Sequence, residues 1–176
     1  MSVPDEFTSA LATLRPVPAH HPLMRVEEVP APRNIAPFAA ALRAVSVEET
    51  DGFALGTGRF VILYDPDEQP GWHSRMRLIT HVRAQMDPEM GEDPLLGEVV
   101  WSWVHDALDA AGANVRAMNG TVTRELSQTF GGLQLRQSEG DIELRASWSP
   151  VTFDLAAHMD AWLTIIETCC GTVMDE

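Results

Sequence analysis

The sequence predicts an α+β protein. The expectation is an antiparallel sheet of about five or six strands, two long helices packed on one face, and a short N-terminal helix. Three observations lead there. Residues 75–86 alternate apolar and polar side chains over a full strand length. Residues 94–111 repeat apolar side chains at helical spacing between a capping aspartate, Asp93, and a stop at Gly112. The periodic segments follow in the order helix, strands, helix, strands, helix, without internal repeats. The chain has 176 residues and a mass of 19.4 kDa. A chain of that size buries roughly 70% of its unfolded surface, enough for one core. One domain spanning 1–176 is expected, with a helix and proline-rich connector over 1–22 and the α+β body over 23–176.

The elements are justified in order. In 4–14, Pro4 suits the first helical position, Asp5 and Glu6 complement the positive end of the dipole, and Phe7, Leu11 and Leu14 form a stripe. Pro16, Pro18 and Pro22 make 15–22 an extended connector. Residues 24–29 read as a short edge strand stopped by Pro30 and Pro32. Residues 37–47 are alanine-rich, and strand and helix are both open there. Residues 55–64 read as a strand ending at the turn Asp65-Pro66-Asp67. In 75–86, Met76, Leu78, Val82, Ala84 and Met86 fall on one side; Arg75, Arg77, His81 and Arg83 fall on the other. Asp51-Gly52 and Pro70-Gly71 between these segments support hairpins.

The second helix, 94–111, has Pro94 at its first position. Leu96, Val100, Trp103 and Ala107 form its stripe, widened by Leu95, Val99 and Val104. Strands follow at 120–130 and 141–148, the second with Ile142, Leu144, Ala146 and Trp148 inward, joined by a loop marked by Gly131-Gly132 and Gly140. The last helix covers 153–170, with Leu155, Met159, Trp162, Ile166 and Cys169 as its stripe and Gly171 as its stop.

Composition excludes several chemistries. The chain has 26 acidic and 12 basic residues, a net charge of -14, and every basic residue is arginine. Without lysine there is no Schiff-base chemistry, no phosphate-loop lysine and no Ser-Lys dyad. The negative charge disfavours a broad nucleic-acid interface. No run of 18 apolar residues is present, so no membrane span is expected. The acidic start Met1-Ser2-Val3-Pro4-Asp5-Glu6 is no secretory signal, and the adjacent Cys169 and Cys170 close no useful disulfide loop. A reducing cytoplasm is the expected location.

The arginines are the most informative residues. If the strands pair as expected, one sheet face collects Arg59, Arg75, Arg77, His81, Arg83 and Arg145 beside Glu125 and Glu143. The guanidinium fork suits carboxylates and phosphates, so this face is a candidate site for an anionic ligand, an acidic partner or a second copy of the chain. A solvated sheet face with cross-strand Arg–Glu pairs explains the same pattern. The six histidines show no metal-ligand spacing and read as ordinary surface or half-buried imidazoles; no metal and no cofactor are expected. Cys169 and Cys170 lie at the negative end of a helix, where burial fits better than catalysis. Trp72 sits in a loop and is a candidate exposed contact; Trp101 lies on the flank of the second helix.

Several stretches together resemble a known family. They are Thr57-Gly58-Arg59-Phe60-Val61, Asp93-Pro94-Leu95-Leu96 through Trp101-Ser102-Trp103, Gly120-Thr121-Val122-Thr123-Arg124 with Phe130-Gly131-Gly132, and Leu144-Arg145-Ala146-Ser147-Trp148-Ser149-Pro150. In that order they are similar to the actinobacterial domain-of-unknown-function 3000 family, over most of the chain from Arg25 to the last helix. The resemblance implies no activity. The residues themselves lead to the expectation of a non-enzymatic cytoplasmic binding or adaptor protein, a homodimer, using the arginine-bearing sheet face for a protein partner. The alternative is an enzyme acting on a small anionic substrate, with His81 as base and Arg75, Arg77 or Arg83 as clamps.

Overall fold

The computed structural model describes residues 2–50, 52–86, 88–128, 130–132 and 140–171. Among the described residues eight strands form: β1 (Met24–Val29), β2 (Phe38–Ser46), β3 (Glu49–Thr50), β4 (Phe53–Ala54), β5 (Gly56–Tyr64), β6 (Met76–Met86), β7 (Val115–Leu126) and β8 (Gly140–Pro150). The α-helices are α1 (Asp5–Ala12), α2 (Pro88–Gly91), α3 (Leu96–Ala111) and α4 (Ala156–Cys169). Six strands make one sheet in the order β1-β2-β5-β6-β8-β7, and every neighbouring pair is antiparallel. The short β3–β4 hairpin stands apart. Residues 38–46 are therefore strand. Alanine favours helix, but pairing on both sides wins, and Ala41 and Ala44 are fully buried on opposite faces.

The sheet has an inner and an outer face. Even-numbered residues of β5, β6 and β8 point inward, where Phe60, Ile62, Leu78, Val82, Leu144 and Trp148 meet α3 and α4. The Phe60 and Trp162 rings lie 5.3 Å apart. Close approach depends on missing side chains. A Cβ at Gly58 would sit 2.5 Å from Ile166, and one at Gly120 would sit 2.3 Å from the Trp101 ring.

α4 is buried on nearly all sides, because α1 and the segment after it cover the flank that the sheet leaves open. Phe7, Ala10, Leu14 and Val17 join the same core as Met159 and Trp162. Thr13 Oγ1 donates to Ala10 O and accepts from Leu155 N. The proline-rich connector is not extended. It turns through a 3-10 helix at Val17–His20, with Pro18 at an early position where no N–H is needed. His21, the next residue, is buried between Glu167 and Asp160 of α4, with Nε2 2.6 Å from the Asp160 carboxylate.

Other expectations shift in detail. Asp93 is not the N-cap and Pro94 is not the first helical residue: α3 starts at Leu96 with Leu95 at the N-cap and no side-chain cap, and Asp93 instead accepts the Leu95 N–H at 2.9 Å in the turn before it. Its buried stripe is Leu96, Val100, Val104, Ala107 and Leu108. Leu95 and Val99 are exposed and Trp103 is half-buried, since sheet and α4 cover only the narrower stripe. Gly112 stops the helix in the left-handed conformation, φ 75°. β7 begins at Val115, five residues earlier than expected, with a bulge between Arg116 and Asn119. α4 starts at Ala156 rather than 153. The loop between β7 and β8 lies largely outside the described residues. Among those described, no helix is long and apolar enough to cross a membrane.

Candidate functional site

The outer face carries the odd-numbered residues of β1, β2, β5, β6 and β8, and strand pairing sorts them into transverse rows. One row runs Glu27, Arg43, Arg59, His81, Arg145, Thr121 from edge to edge. The row on one side of it runs Arg25, Val45, Thr57, Arg83, Glu143, Thr123. The row on the other side, Val29, Ala41, Val61, Ile79, Ser147, Asn119, is mostly apolar. Loops cover this apolar part: Ala41, Val61, Leu63 and Trp72 form a second buried cluster, with Val29, Ala31, Ala36, Ala39 and Ile79 against it. The outer face is thus half lidded, and the arginine row lies on the open half.

Acids neutralise much of this half. Arg83 is held by Glu125 at 2.8 Å, Asp141 at 3.0 Å and Glu143 at 3.1 Å. Arg145 Nε donates to Glu143 at 2.7 Å, and Arg43 lies 3.3 Å from Glu27. The Arg83 and Arg43 contacts are the cross-strand pairs of a solvated sheet face, and Arg145 pairs along its own strand. Arg59 is different. It is exposed, it stands between Arg43 and His81, and it forms no ion pair with any described residue. His81 lies 3.6 Å from Glu143, and its pKa is lowered, first by burial and then by Arg145 and Arg83, against the opposing pull of Glu143. The ring is therefore neutral near pH 7.

Two clefts flank the row. One of about 320 Å³ lies between the β3–β4 hairpin and the face, lined by Arg43, Thr57, Arg83, Gln85 and Asp141. One of about 340 Å³ lies at the edge, lined by Arg25, Glu27, Arg43 and Val45. His81 lines neither.

Of the residues expected at the site, Arg59, His81 and Arg145 share one row, Arg83 sits in the next, and Arg77 lies on the same face but beyond the apolar row. Arg75 does not belong. It precedes β6, turns to α1, and bonds both oxygens of Glu6 at 2.6 and 2.9 Å, with its guanidinium over the Phe153 ring. Alternation ended one residue too soon for it. Arg77 is also not a surface clamp: it is only 6% exposed. Trp72 is buried rather than a contact. His21 and His158 are buried rather than ordinary surface or half-buried imidazoles. Sequence reasoning missed Arg43 and Arg25. The two-residue rhythm of Arg25, Glu27, Val29 was there to find it, while the alanine run hid Arg43.

Among the described residues, no three His, Cys, Asp or Glu side chains are placed to share a metal ion. Burial pushes the thiols of Cys169 and Cys170 up to about 12, so neither is a thiolate near pH 7. No curated protein and no solved structure matches the chain. The sequence model of the family described as protein of unknown function DUF3000 matches residues 3–174, nearly the whole chain. The protein belongs to the DUF3000 family.

Proposed function

We propose that this protein is a non-enzymatic binding or adaptor protein of the cytoplasm, whose outer sheet face receives an acidic surface of another protein. The observation that carries this is Arg59: an exposed guanidinium, flanked by Arg43 and His81, with no described carboxylate to answer it. In a chain of charge -14, an unanswered cation within a row spanning about 24 Å attracts carboxylates from outside. The row is open, as a protein surface requires. A homodimer fits the same reading without using this face. β7 is an edge strand of 12 residues, mostly exposed, with β8 as its one neighbour in the sheet, and such an edge is a template for pairing with a second copy.

The test is affinity capture from the native host with wild type and with Arg59→Glu/Arg145→Glu. The proposal expects acidic proteins with wild type and their loss with the variant, at unchanged fold. Equal capture by both sinks it. One observation favours a second reading, an enzyme for a small anionic substrate: His81 is kept neutral and so is competent as a base. His81 stands on an open face outside both flanking clefts, which leaves a small substrate little enclosure. Turnover lost in His81→Gln would establish that reading.

A further inference from the structure

Arg77 lies at the far side of the apolar row and is 6% exposed. Its Nε donates to Ser147 Oγ at 2.8 Å and its Nη1 to Ser149 Oγ at 3.0 Å. Ser149 passes its own proton to Trp72 O at 2.6 Å. A guanidinium has five N–H donors. Two are used here; the remainder, one on Nη1 and both on Nη2, bond to no described residue. No described carboxylate pairs with Arg77. Ser147 accepts from Arg77, and its hydroxyl proton goes to no described group. The neighbours are apolar: Leu63 is the cross-strand partner, and Ile79 is two residues along the same face. Burial alone lowers the Arg77 pKa, the mark of a charge without a counter-ion.

A buried cation without an anion is unfavourable, and proteins ordinarily pair it. Serine hydroxyls satisfy hydrogen bonds but supply no negative charge. Among the described residues no fully buried side-chain nitrogen or oxygen lacks a partner, so Nη2, which bonds to no described residue, keeps some exposure, and an anion can meet it there. We propose that Arg77 and Ser147 form a receptor for a single carboxylate group. The charge count selects the carboxylate: one guanidinium and one hydroxyl match a planar monoanion, with one oxygen on Nη2 and the other on the Ser147 hydroxyl. Across the sheet the Cα partner of Ser149 is Arg116, whose Nη1 is turned to His73 O at 3.5 Å. This deepens the reading above by naming the chemical group and where it seats. The arginine row and this receptor can each fail without the other.

The experiment follows the arginine Nε–H resonances of the isotope-labelled full chain by NMR. Sodium acetate, sodium phosphate and sodium chloride are titrated at equal ionic strength, and a short glutamate-rich peptide separately. The Arg77 resonance is assigned by its loss in Arg77→Gln, and if that variant fails to fold, by its selective perturbation in Ser147→Ala. The expected result is a saturable shift of the Arg77 resonance with acetate and none with chloride, weakened about tenfold in Ser147→Ala. A shift with the peptide as well places the carboxylate on a protein partner; a shift with acetate alone makes it a free acid. An Arg77 resonance indifferent to both overturns the receptor. A larger response to phosphate than to acetate overturns the monoanion assignment. If the peptide binds, Arg59→Glu abolishes that binding and Ser147→Ala leaves it unchanged, the arginine row stands and the receptor falls.

Discussion

Trp148 Nε1 donates a hydrogen bond to Nδ1 of His158 at 3.0 Å, inside the core between β8 and α4. The bond requires an unprotonated Nδ1, so the ring is neutral with its proton on Nε2. Burial pushes the His158 pKa down to about 4. The unfolded chain then binds a proton that the folded one refuses. Stability from this group is complete above about pH 6.5 and drains as pH falls to about 4, by about 3 kcal/mol in all. Urea unfolding of wild type across that range should show an acid limb that His158→Gln flattens. An identical limb in the variant would contradict the assignment.

His21 acts with the opposite sign. Burial pulls its pKa down, but hydrogen bonds and charge from Glu167 and Asp160 outweigh that, so the net shift is upward. The folded ring holds its proton more tightly than the unfolded one. Its contribution is present below the unfolded pKa and is lost as pH rises through the folded value. His21→Gln should cost about 1–3 kcal/mol at mildly acid pH and progressively less as the solution turns alkaline. Hydrogen exchange should show the loss first in residues 5–21, which this contact ties to α4. A penalty that stays constant with pH argues that His21 serves by shape alone.

Arg75 and Arg59 should part company under charge reversal. Arg75→Glu sets a carboxylate against Glu6 and removes the guanidinium that holds Glu6 low, while Tyr64 keeps only its own bond to Glu6. The pair is substantially exposed, so the expected cost is about 1 kcal/mol, with partner binding retained. Arg59→Glu should leave stability within about 0.5 kcal/mol and abolish partner binding. Calorimetry together with capture of the acidic partner separates the two. The reverse pattern would move the binding surface to α1.

Gly120 predicts a packing defect. A Cβ there meets the Trp101 ring at 2.3 Å and the Arg145 carbonyl oxygen at 2.9 Å, and the carbonyl belongs to the sheet and cannot yield. Gly120→Ala should destabilise by about 1–3 kcal/mol and shift the Trp101 indole resonance. Gly52→Ala meets nothing within 4 Å, yet carries a backbone φ of 80°, so its penalty is local strain without any Trp101 response.

Much of the fold was legible in local rhythm. Residues 76–86 alternate because one face of β6 meets α4 and the other does not, and that asymmetry is written at every second position. Gly112 marks the end of α3 because a left-handed residue closes a helix whatever the tertiary setting, while Asp93 marks only the turn before the helix. Residues 38–46 were ambiguous for a physical reason: alanine is a good helix former, and only the partners on either side, β1 and β5, make it strand. Arg43 was hidden with it. Arg75 was misplaced because alternation has no information about where a strand begins, and the Glu6 that claims it lies far away in sequence.

From the sequence alone came the α+β class, the all-arginine basic set, the exclusion of lysine chemistry and the family resemblance, since composition and period-two or helical spacing are local properties. Tertiary structure decided which guanidiniums stay unanswered. Arg83 found carboxylates across the strands, Arg145 found Glu143 two residues along its own strand, Arg75 found Glu6, and Arg59 and Arg77 found none among the described residues. A charge is answered by whatever folding brings within a few ångströms, and no local pattern encodes that distance.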